Sequence, residues 1–222
     1  MRWIDGALAV VVKDLRSEVR ARAALNAVVL FAVVTLTMVS YTVGTFGLTP
    51  GIRASLLWII VFFAAMAGLS RTFLVEVERG TALALKLTAS GTQVFLGKLM
   101  FNLILLGLLN VILLPLFQVL LPIPEANWSL LLVGLALGNL ALASASTLVA
   151  AIVAGAGAKG ALFTVLAFPI LLPVLIGGVS TTHKAMEMLS FGDALGELQL
   201  LIGYTGVMIT LAVLLFDYAW RD

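Results

Sequence analysis

Residues 99–121 read LMFNLILLGLLNVILLPLFQVLL, 23 residues with no charge. A bilayer core takes roughly 20 apolar residues to cross as a helix, and a stretch of this length without charge is read as a span. Lipid offers no partner to a free backbone N–H or C=O. An apolar stretch that lacks strand-like alternation must therefore cross as an α-helix. Five further apolar stretches follow the same reading, near 24–44, 54–70, 128–154, 161–179 and 198–216. The expectation is one all-α integral membrane domain over 1–222 with six transmembrane helices.

Composition agrees. Of 222 residues, 62% are hydrophobic and 11% charged, with a mean hydropathy of +1.18. Soluble domains carry roughly a quarter charged residues, so the chain has no material for a large soluble domain. Cysteine is absent, which excludes disulfides, thiolate metal sites and cysteine nucleophiles. The first apolar stretch follows some twenty mixed residues and ends without a small-residue cleavage site, and reads as a retained anchor.

Basic residues set the expected orientation. With the N-terminus inside, Arg2, Lys13, Arg16, Arg20, Arg22, Arg71, Arg79, Lys86, Lys98, Lys159 and Arg221 lie on the inner side, and only Arg53 and Lys184 lie outside. The positive-inside rule then places both termini in the cytoplasm. Residues 2–22 carry Ile4, Leu8, Val11, Leu15 and Val19 at helical spacing, with Lys13, Asp14, Arg16, Glu18 and Arg20 mostly elsewhere. That pattern predicts an amphipathic helix on the inner membrane surface, its basic residues near anionic headgroups; the alternative is a solvated lead-in that only sets topology. Pro50-Gly51 punctuates the first outer loop, Pro122-Ile123-Pro124 ends the third span, and the last outer segment, 180–197, reads as a loop holding a short interfacial helix between Met186 and Leu195.

The inner segment 71–98, RTFLVEVERGTALALKLTASGTQVFLGK, is neither long nor apolar enough to span. It reads as a short amphipathic helix or turn at the cytoplasmic surface, ending near Ser90-Gly91 where glycine permits a left-handed residue. Exposed on a protein with no soluble domain, it invites a docking partner; the bland alternative is a loop held at the interface.

The intramembrane polar residues are Asn102, Asn110 and Gln118 in the third span and Asn139, Ser144, Ser146 and Thr147 in the fourth. No charged side chain or histidine is expected deep in a span, which argues against a proton relay or ion-coupled carrier. Interhelical hydrogen bonds, worth roughly 0.6 to 2 kcal/mol, account for such residues, with pathway lining the alternative. Gly134 and Gly138 form a GxxxG pair for close helix packing, against a helix of this chain or of another subunit. Pro169 and Pro173 favour a kink in the fifth span. His183, the single histidine, has no companion ligand and reads as a loop residue; no metal or cofactor site is expected in the chain. There is no GxxxxGK[ST] phosphate loop, and Leu96-Gly97-Lys98 lacks its first glycine and its Ser/Thr. HExxH, GxSxG and paired intramembrane carboxylates are also missing, so an enzyme is not expected.

Residues 50–102, PGIRASLLWIIVFFAAMAGLSRTFLVEVERGTALALKLTASGTQVFLGKLMFN, carry a family resemblance. Pro50-Gly51-Ile52, Trp58, Phe63-Ala64, Gly68-Leu69, Arg71, Phe73, Glu78-Arg79-Gly80-Thr81, Leu83, Leu87 and Leu96-Gly97-Lys98-Leu99 resemble the CcmB family, the B-subunit haem-exporter permeases of cytochrome c maturation. Pro169-Ile170-Leu171-Leu172-Pro173 is similar to that family's proline-bracketed fifth span. The acidic-Arg-Gly-Thr turn followed by Gly-Lys is shared more widely among ABC-2-type permeases. The chain departs from the family pattern at Ser70, at Ala84 and at Thr88-Ala89.

The resemblance implies the membrane half of an ABC transporter-type complex in a bacterial inner membrane, without ATP-binding motifs of its own. A separate cytoplasmic ATPase of the CcmA type would dock on a coupling helix between spans 2 and 3. Glu78, Arg79, Gly80, Thr81, Leu83 and Leu87 would be the contact. CcmC-like and CcmD-like subunits, a second copy or related permease, and membrane lipids are the implied partners, with no nucleic acid. Haem enters only as cargo and ATP only through the partner. Two alternatives stand beside this: an ABC-2-type permease exporting a lipid, polysaccharide or drug, and a non-transporting scaffold regulated by the ATPase.

Overall fold

The computed structural model describes residues 2–44, 48–155 and 160–221. Lys159, assigned above to the inner side, lies outside the described residues, as do the side chains of Arg2 and Arg221. The described residues form helices and no strand: α1 Arg2–Ala21, α2 Ala23–Val43, α3 Pro50–Leu69, α4 Leu74–Glu78, α5 Ala82–Thr88, α6 Gly91–Leu120, α7 Trp128–Gly155, α8 Gly160–Met186 and α9 Leu195–Arg221. Six of them, α2, α3, α6, α7, α8 and α9, are long and apolar enough to cross a membrane. The chain is therefore a multi-pass membrane protein.

Helix α7 stands at the centre. In its apolar window 78% of residues are buried, against 17% for α2; α7 packs against α6, α8 and α9, and α3 against α2 and α8. Its small side chains explain the position. Gly134, Gly138, Ala141 and Ala145 present little volume, which lets neighbouring backbones approach closely. A Cβ on Gly138 would lie 2.0 Å from the Trp58 ring of α3, and one on Gly134 would lie 2.6 Å from Thr181 of α8. The GxxxG face is thus filled by helices of this same chain.

Helix ends differ from the apolar-length reading in an instructive way. The third span was read from residue 99, yet α6 begins at Gly91, started by a Ser90–Gln93 capping box. Gly91 is the first helical residue there. The left-handed glycine of this segment is Gly80, at φ 67°. Pro50 is not loop punctuation; it opens α3 behind the N-cap Thr49, where a missing N–H is harmless. The separate helix expected between Met186 and Leu195 is not formed. Instead α8 continues to Met186, and a turn through Met188, at φ 60°, leads into α9. In each case hydropathy stops at the first polar residue, whereas the backbone ladder continues wherever those side chains find partners.

Pro169 and Pro173 sit inside α8, which is helical on both sides of them. Pro173 has no N–H for the carbonyl of residue 169. One residue on, the Tyr204 hydroxyl donates to the Ile170 carbonyl at 2.6 Å, so α9 supplies a hydrogen bond beside the gap. Gln118 does the same for the proline turn that ends α6. Its amide donates to the Ile123 carbonyl and accepts from the Ile123 N–H, both at 3.1 Å.

Candidate functional site

Helix α1 runs along the bundle and docks on the first turns of α6. Ala7, Val10 and Val11 are buried in the contact. A Cβ on Gly97 would meet Val10 at 2.6 Å and the Ala7 carbonyl at 2.9 Å. The Gly97-Lys98 pair thus seats a helix rather than a phosphate. The chain then turns sharply into α2 through Arg22, a non-glycine residue in the left-handed region at φ 52°. Glu18 caps the new helix by accepting the Leu25 N–H at 2.8 Å.

Lys98 is 2% exposed, with Glu76 at 6% and Asp14 at 8%. Its ammonium donates to Glu76 Oε1 at 3.0 Å, to Asp14 Oδ1 at 3.2 Å and to the Thr72 carbonyl at 2.9 Å, and Asp14 Oδ2 lies 3.0 Å away. Lys13 also bonds Glu76 Oε1 and sits 3.0 Å from Asp14. The Thr81 hydroxyl donates to Glu76 Oε2 at 2.6 Å. The Phe73 ring lies 5.5 Å from the Lys98 ammonium and continues to Phe216 of α9 at 5.8 Å. Two cations and two anions from α1, α4 and α6 thus form one neutral joint. A buried charge is tolerable only when paired and hydrogen-bonded in this way. Burial works against the Lys13 ammonium, but the Glu76 hydrogen bond and the Asp14 charge outweigh it and raise the pKa above its ordinary value.

Polar contacts carry the joint toward the core. Thr72 donates to Asn102 Oδ1 at 3.0 Å, and Asn102 donates to Thr147 of α7 at 2.8 Å. Asn102 and Thr147 therefore act between helices. Ser144 bonds the Ala141 carbonyl of its own helix. Asn110 and Asn139 each keep a buried amide oxygen without a partner.

Below the joint lies the expected docking element, in two short helices. Glu76 anchors α4; Gly80 turns the chain in the left-handed region with open space around its α-carbon; Thr81 opens α5. Within α5, Leu85 is buried and fastens the helix to the bundle. Leu83 and Leu87, one turn apart, are 67% and 79% exposed. Arg79 donates to Ser17 of α1 at 2.7 Å, while Glu78 is exposed. Sequence reasoning singled out Glu78 and Arg79 and missed Glu76, Asp14 and Lys98 as the anchor. A signal existed: Asp14 falls on the face shared by Ala7, Val10 and Val11, where an isolated charge needs a partner.

The opposite end differs in kind. Trp58 donates its indole N–H to Thr182 at 2.8 Å, and its ring lies against Gly138 and Gly178. His183 pairs with Glu187 at 3.2 Å on the last turn of α8, and Lys184 pairs with Glu197 at 2.7 Å. Among the described residues no three His, Cys, Asp or Glu side chains gather as a metal site.

The family described as CcmB protein matches residues 6–221. A relative named heme exporter protein B, from Rhodobacter capsulatus, is 32% identical over 202 residues, covering 90% of this chain and 91% of the relative. A protein of the same name from Paracoccus denitrificans is 28% identical over 181 residues, 79% of this chain and 82% of its own length.

Proposed function

The chain belongs to the CcmB protein family, and on that premise we propose that it is the permease subunit of an ABC transporter-type complex that exports or handles haem for c-type cytochrome maturation. It resides in the bacterial inner membrane with both termini in the cytoplasm. As half of a permease it pairs with a second copy or a related subunit, and it assembles with CcmC-like and CcmD-like proteins. ATP is hydrolysed by a separate CcmA-like ATPase.

The observation that carries this reading is the α4–α5 element: two leucines held out on a helix whose root is locked by buried ions. Leu83 and Leu87 seat in a cleft of the ATPase. Gly80 gives the turn, and Glu78 and Arg79 orient the element by charge. When nucleotide closes the ATPase pair, α5 moves as a lever. The joint at Glu76–Lys98 passes that motion to α1 and α6, and Thr72–Asn102–Thr147 passes it to α7.

Affinity purification of the tagged full chain after mild solubilisation tests the proposal. The ATPase and other maturation subunits are expected to accompany it. Leu83→Ser/Leu87→Ser should weaken ATPase association by roughly tenfold per leucine and abolish formation of holo-cytochrome c. The variant's thermal stability should stay within about 0.5 kcal/mol of the parent, because both side chains are exposed. Retained ATPase in the variant would reject the docking role; an ATPase arriving without maturation subunits would reject the haem assignment in favour of another cargo.

A further inference from the structure

A cleft of about 470 Å³ opens at the surface between α1 and the α4–α5 turn, lined by Arg16, Ser17, Arg20, Ala21 and Arg79. Three of the five side chains are arginine and none is acidic. The arginines are exposed, and no described carboxylate lies within 4.0 Å of any of them. This contrasts with the neighbouring joint, where every cation has an anion. Arg79 is held in place by its bond to Ser17 at 2.7 Å, which brings a guanidinium from a separate element up to the two on α1.

The helix itself supplies a second observation. At about 100° per residue, the exposed Ile4, Leu8, Val12 and Val19 fall within about 80° of one another. The buried Ala7, Val10 and Asp14 lie on another side, turned toward α6. Among the described residues the stripe stays exposed, and it suits the acyl boundary of a lipid surface. Arg16 and Arg20 follow that stripe at about 120° and 160° from Ile4 on the same wheel, at its polar edge. A headgroup attached to lipids beside the stripe lies within their reach, and Arg79 closes the cleft from the protein side.

We propose that Arg16, Arg20 and Arg79 form a binding site for the phosphate of an acidic phospholipid headgroup. Guanidinium forks match phosphate oxygens with two N–H donors each. Diffuse attraction of α1 to an anionic surface would need only the α1 charges. The site requires Arg79 as well, and a headgroup held there ties the docking element to the membrane surface through one shared ligand.

The test measures retention of labelled phosphatidylglycerol by the purified full chain in phosphatidylcholine mixed micelles, with inorganic phosphate as a competing arm. Arg16→Gln, Arg20→Gln and Arg79→Gln should each lower phosphatidylglycerol affinity about fivefold. Lys86→Gln, which removes the same charge from nearby α5, should change it less than twofold. The two α1 variants lose no intramolecular ion pair and keep the test independent of folding at Arg79. Equal weakening by Lys86→Gln, or no effect of Arg79→Gln, would overturn the site in favour of diffuse charge. Displacement of the lipid by millimolar inorganic phosphate would overturn the lipid assignment in favour of a soluble anion.

Discussion

The two ends of the bundle are held by different physics. At the basic end, α1, α4 and α6 meet through Lys98, Glu76, Asp14 and Lys13. At mid-bundle and beyond, α3, α7 and α8 meet through the Trp58 ring pressed on Gly138 and Gly178. In the first contact two cations each answer both carboxylates, so its partners can exchange without loss of neutrality. The second is a steric fit with a single hydrogen bond and has one arrangement. The lever action proposed for α5 would draw on both, a joint that can re-pair and a core that does not yield.

The largest effect should come from the joint. Lys98→Met removes the buried cation and leaves Glu76 and Asp14 with only the half-exposed Lys13. A loss of about 3 kcal/mol is expected, read as a shifted unfolding midpoint of the detergent-solubilised chain. The triple variant Lys98→Met/Asp14→Leu/Glu76→Leu should recover most of it, because no buried charge then lacks a partner. If the triple variant is as unstable as the single one, the joint is held by shape and the contrast with the Trp58 knot fails.

Next in size is the knot. Gly138→Ala puts a methyl 2.0 Å from the Trp58 ring, whose freedom to shift is limited by its close packing on Gly178. Overpacking of this kind costs about 1–3 kcal/mol. Gly196→Ala, where a Cβ meets nothing within 4 Å, is the matched control and should leave the midpoint unchanged. A tolerated Gly138→Ala would mean that the fit is slack and that both ends can move.

The six spans were legible because apolar length is a one-dimensional property that the bilayer reads directly. The α4–α5 element was legible too: a charged, turn-bearing stretch between two spans has nowhere else to go. What stayed hidden was pairing across sequence distance. Glu76 and Lys98 are 22 residues apart, Asp14 and Lys98 are 84 apart, and each lies in a segment whose composition reads as surface. Their burial follows from α6 beginning eight residues before its apolar stretch, which needed the Ser90 cap and the Gly97 seat for α1. Trp58 was recognisable as a family residue. That Gly138 exists to receive its ring required the crossing of α3 with α7, which periodicity does not specify.

The smallest effect is the most discriminating. Thr182→Val keeps the volume beside Trp58 and removes only the acceptor of the indole N–H. In the described structure Thr182 is buried with no water-facing surface, so solvent does not replace it as the acceptor. Interhelical hydrogen bonds among membrane helices average well under 2 kcal/mol, and a loss of about 1 kcal/mol is expected, with the Trp58 environment otherwise unchanged. The indole fluorescence and the fold should therefore persist while the midpoint falls slightly. A steric knot predicts this ordering, with the methyl on Gly138 harming more than the hydroxyl lost from Thr182. The reverse ordering would place the hydrogen bond, not the glycine seat, at the centre of the α3–α7–α8 contact, and would make both ends of the molecule polar joints of one kind.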